Sequence, residues 1–143
     1  MICIEVQCLK VLDLTQRTVD DAGVNLPKKY LAEVHSAKVM GLKAWLDTWT
    51  KSQSPAHGSA VSPIIPRMVV LMRGSQLSFP EATRVAYADA YLAFARLLEK
   101  RPMTDSGKVA QDVKAQLEGL LAEEPSQAVR RDLLTAMDIV TKT

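Results

Sequence analysis

Residues 78–101, SFPEATRVAYADAYLAFARLLEKR, decide the fold. Ser78 and Glu81 stand at capping-box spacing, and Pro80 falls where a missing backbone donor costs no helical bond. At about 100° per residue, Tyr87, Tyr91, Phe94 and Leu98 share one face. Ala82, Ala86, Ala90 and Ala93, with Leu97, form a second face, smooth enough for another helix to come close. Val85 and Leu92 make a narrower third strip between Arg84, Asp89, Arg96 and Glu99. A helix apolar on several faces packs on several faces, so this stretch predicts the central helix of a bundle, near residues 79–101.

Outward from it, the same periodicity recurs. Ile4, Cys8, Val11, Leu12, Thr15, Val19 and Ala22 fall on one side of a first helix, with Gly23 as a left-handed stop. Alternation of Ile4, Val6 and Cys8 with Glu5 and Gln7 is the competing strand signal, and the helical template fits the longer span. Tyr30, Leu31, Val34, Leu42, Trp45 and Trp49 predict the apolar face of a second helix over 28–51, with Gly41 at its edge for close backbone approach. The run IIPRMVVLMRG could be a strand on composition. No second strand exists to pair with it, so a short buried helix from Pro66 to about Ser75 is expected. Val109, Val113, Leu117, Leu120 and Leu121, then Val129, Leu133, Ala136, Met137 and Val140, predict two closing helices. The break at Glu124–Pro125 is short enough to fold them as an antiparallel hairpin. The fold class is therefore all-α: a single-domain bundle of about six helices over residues 1–143.

Residues 52–62, SQSPAHGSAVS, read as an exposed, mobile connection, because Ser, Pro, Gly and Ala follow no period there. No repeat at a solenoid period stands out. A chain of 143 residues suits one domain, burying roughly two-thirds of its unfolded surface. The formal charge of +2 and interspersed acids and bases imply no strong attraction to nucleic acid or anionic lipid. Apolar runs are too short to span a bilayer, and MICIEVQ lacks a basic leader region, which points to the cytoplasm.

Chemistry-bearing motifs are sparse. Cys3 and Cys8 would point about 140° apart on a helix and cannot bridge within it. Ser106-Gly107-Lys108 lacks the earlier glycine and the strand of a phosphate loop. No metal-ligand pattern and no nucleophile elbow occur, so no catalytic residue, metal or cofactor is expected. Lys38 falls inside the apolar stripe of the second helix, with His35 on its flank. The simplest reading is a snorkelling lysine whose amine reaches water, and the sharper one is a paired lysine lining a pocket. A small enzyme built on Lys38 and His35 is thus one alternative function. A nucleic-acid-binding regulator using Lys100-Arg101 or Arg130-Arg131 is another, disfavoured because the closing hairpin folds too tightly for a protruding recognition helix.

The favoured reading is a non-catalytic module acting by protein–protein contact: an adaptor, a chaperone-like protein or a regulatory subunit. Its candidate interface residues are Arg84, Val85, Leu92 and Arg96 on the central helix and Trp45 and Trp49 on the second. The tryptophans are equally suited to filling the core. The expected occupant is another protein or a second copy of the chain.

Overall fold

The computed structural model describes residues 2–51, 64–72, 78–100 and 106–142. The expected all-α architecture is present as α1 (Ile2–Asn25), α2 (Lys28–Lys51), α3 (Ile65–Met72), α4 (Glu81–Lys100), α5 (Ser106–Glu123) and α6 (Gln127–Lys142). No strand occurs among the described residues. The connection at 52–62, with His57, and the side chains of Cys3 and Cys8 lie outside them.

α4 is the organising element. Its most extensive contacts are with α2 on one side and α6 on the other. α1 packs on α2, α5 packs on α6, and α3 lies between α1 and α5. The helices therefore form two rows of three: α2, α4 and α6 in one, α1, α3 and α5 in the other. Tyr87, Tyr91, Phe94 and Leu98 are almost wholly inaccessible and fill the space between the rows. The Tyr91 hydroxyl lies 3.2 Å from the Met72 carbonyl oxygen and within hydrogen-bond distance of the Gln116 side-chain oxygen, so one residue of α4 reaches both α3 and α5. On the alanine face, Ala90, Ala93 and Leu97 are buried, as small residues beside a closely packed neighbour should be.

Local chemistry sets the helix ends, with some departures from expectation. The Pro80 carbonyl accepts from the amides of Thr83 and Arg84, so α4 starts at Glu81. That is later than the capping-box spacing implies. The Glu81 carboxylate accepts from the Ser126 hydroxyl at 3.0 Å, and Arg84 Nη1 donates to the Phe79 carbonyl at 2.7 Å, bracing the entry. α1 does not stop at Gly23. It runs to Asn25, with Pro27 beyond it. Gly41 does not admit a neighbouring backbone, since a Cβ there would meet nothing within 4 Å. The buried face of α2 is also rotated from the expected one. Ala32, Val39, Leu42 and Leu46 are inside, Tyr30 is exposed, and Trp45 and Trp49 lie half-buried at the flank. Two neighbours, α1 and α4, set that face, so its centre falls between the two contact stripes.

α3 is helical, which settles the ambiguous apolar run. The Ile64 carbonyl accepts from Arg67 and Met68, and Pro66 sits in the first turn, where no donor is needed. The α5–α6 link is the three residues 124–126, giving the expected C-terminal hairpin.

Candidate functional site

On the outward side of the α2–α4–α6 row, a groove of about 500 Å³ opens between α2 and α4. Met40 and Ala44 line it from α2, and Ala82, Val85 and Ala86 from α4. Lys43, Asp47 and Asp89 supply its charge, and Lys43 is paired with Asp47 at 3.1 Å. Val85 and Leu92 are half-buried, packed at the margin of the core, while Arg96 is exposed farther along the same side of α4. Burial and the neighbouring Asp132 carboxylate of α6 raise the pKa of Asp89 above its ordinary value, with Lys43 opposing the shift.

The expected interface residues are thus only partly brought together. Arg84 does not join the open side. Its Nε lies 2.9 and 3.0 Å from the two oxygens of Glu124, whose carboxylate is buried. Trp45 and Trp49 meet at a tilt of 47°, with ring centroids 5.6 Å apart, and pack against the core. Met40, which sequence reasoning missed, is 63% exposed and contributes the groove's most accessible apolar side chain. Its position off the main apolar stripe of α2 was the available signal.

His35 and Lys38 meet inside the row. The Lys38 amine is buried rather than snorkelling, a correction to the simplest reading of the sequence. It donates to the Leu71 carbonyl at 2.7 Å and lies 5.1 Å from the centre of the Tyr87 ring, a cation–π arrangement. It also lies 3.3 Å from His35 Nδ1. An ammonium has no lone pair, so Nδ1 accepts and the ring proton belongs on Nε2. The Tyr87 hydroxyl, at 2.9 Å, then donates to the same Nδ1. Desolvation lowers Lys38 to about 8. Desolvation, then the Lys38 charge, lowers His35 to about 4, so the imidazole is neutral at pH 7. Phe79 covers His35, with ring centroids 4.6 Å apart. Beside this cluster, Ser36 donates to Thr83 at 2.9 Å, continuing a polar seam between α2 and α4. Lys38 also borders a small pocket of about 170 Å³ between α1 and α2.

Arg130, one of the candidate nucleic-acid contacts, points into the α5–α6 turn, where Nη1 donates to the carbonyls of Leu121 and Glu124. Among the described residues, no group of three or more His, Cys, Asp and Glu is placed to hold a metal ion. No helix among them is long and apolar enough to cross a membrane.

Two rows of helices, with α1 packed on α2 and α5 on α6, are compatible with stacked helical repeats. The family model described as ECM29, C-terminal ARM-like repeats, matches residues 8–139. The chain belongs to this family. Comparison with curated proteins and comparison with solved structures each gave no match. As ARM-like repeats, the helices differ greatly in size. α3 has 8 residues where α1 has 24 and α5 has 18. The even helices begin at residues 28, 81 and 127, so no fixed period is visible in the sequence. ARM-like repeats present a continuous helical row as a contact surface, and here the α2–α4–α6 row carries the groove.

Proposed function

We propose that the chain is a non-catalytic protein-interaction module of the cytoplasm, an adaptor or regulatory subunit, whose contact surface is the outward side of α2, α4 and α6. The observation that carries this reading is the groove between α2 and α4. It is apolar along its floor, charged at its margins, and set in a row of ARM-like repeats. Val85 lines its α4 side, and Leu92 and Arg96 continue beyond it along the same side of α4. The Lys38 cluster is read as structural, because the amine and imidazole are occupied by Leu71 and Tyr87.

A Val85→Glu, Leu92→Glu double variant tests the reading, examined by thermal melting together with light scattering. A folded variant keeps the surface available as an interface. A lower mass than wild type would identify a second copy as its occupant. Loss of cooperative folding would place the strip in the core and remove it as a contact surface.

A further inference from the structure

The groove has a length and a charge pattern that specify its occupant. Its lining runs from Met40 to Asp47 on α2 and from Ala82 to Asp89 on α4, about 10 Å of helix on each wall. That is two helical turns. Three alanines and Val85 give a shallow floor, and the exposed Met40 is an adaptable side chain. Such a surface accepts the i, i+3, i+4 stripe of an incoming amphipathic helix.

Charge is unbalanced at one end. Asp47, Asp89 and the neighbouring Asp132 bring three carboxylates, against the single ammonium of Lys43, which Asp47 already engages. Asp89 lines the groove, and burial and the neighbouring Asp132 of α6 raise its pKa. A cation arriving there would form a charge-assisted bond to Asp89 and offset the repulsion between the two carboxylates.

We propose that the α2–α4 groove takes a helical segment of a partner protein that sets aliphatic side chains over Val85 and a lysine or arginine against Asp89 and Asp132. The inference rests on the proposed interaction surface and names the chemistry of what binds there. An acidic segment is rejected, since it would meet like charge at a partly desolvated site.

The test is selection of linear 16-residue peptides from a random-sequence display library on the full chain. Enriched peptides are then synthesised and titrated by fluorescence anisotropy. Enriched sequences should carry aliphatic residues at helical spacing and a lysine or arginine. Val85→Glu should weaken them about tenfold or more, and an Asp89→Asn, Asp132→Asn double variant with an undiminished melting temperature should weaken them about tenfold. If peptides enrich and respond to Val85→Glu but carry no basic preference, or bind the Asn variant equally, the charge assignment fails while the interaction surface stands. If no peptide enriches, or binding ignores Val85→Glu, both fail. A wild-type dimer that occludes Val85 also overturns the proposal, in favour of a second copy.

Discussion

Arg84 of α4 and Glu124, at the turn into α6, face each other with Nε 2.9 and 3.0 Å from the two carboxylate oxygens. The pair pins the start of α4 to the α5–α6 turn, and the Glu124 side chain is only 2% exposed. Removing one partner strands the other charge away from water. Arg84→Ala should therefore cost about 3 kcal/mol in urea unfolding, far more than an exposed ion pair. The Arg84→Met, Glu124→Leu double variant should lose much less than the two single changes together. Additive losses would mean the two residues are not coupled.

Phe94 has no accessible surface and lies between the two rows of helices. Phe94→Ala should cost about 3–5 kcal/mol, the transfer and cavity cost of a large side chain in a packed interior. Thermal melting within a degree or so of wild type would contradict the organising role of α4.

Gly41 lies inside α2, where an added Cβ would have no neighbour within 4 Å, and the same is true of Gly119 in α5. Glycine inside a helix costs about 0.5–1 kcal/mol relative to alanine through backbone entropy. Gly41→Ala and Gly119→Ala should each raise the urea midpoint by a corresponding amount. A fall in the midpoint would show that a neighbour needs that space.

The His35–Lys38 cluster gives stability a defined pH dependence. His35 has its pKa lowered from 6.5 to about 4. Between those values the unfolded chain binds a proton that the folded chain does not, so stability rises with pH and is lost on acidification from 6.5 towards 4. Lys38 is lowered from 10.5 to about 8. Above pH 8 the folded state again holds fewer protons than the unfolded one, so this group adds stability as pH climbs from 8 towards 10. Tyr87, raised by burial and then by Tyr91, opposes the gain above pH 10, where only the unfolded phenol ionises. Denaturation at a series of pH values should show the acid slope in wild type and a reduced slope in His35→Gln. Identical acid slopes would place the imidazole in water.

The fold was legible because its evidence is local. The inward face of α4 repeats every three or four residues, and Tyr87, Tyr91, Phe94 and Leu98 are all inside as that spacing requires. What was not legible depends on partners distant in the chain. Lys38 reads as a snorkelling residue in sequence because its acceptor, the Leu71 carbonyl, is 33 residues away. Arg84 reads as available because Glu124 lies 40 residues on. Neither separation leaves a trace in helical angles. The groove was half visible: Val85 stands out as an aliphatic among charges, whereas Met40 belongs to the site only because α2 turns it towards α4.

The proposed contact surface is tested most directly by methyl NMR of the full chain, titrated with a peptide selected for binding to it. The groove assignment predicts saturable shifts of the Met40 methyl and the two Val85 methyls. The methyls of Leu14 and Val24, exposed on α1, should stay in place. Shifts confined to Leu14 and Val24, with Met40 and Val85 unmoved, would contradict it and assign the interaction to the first helix instead.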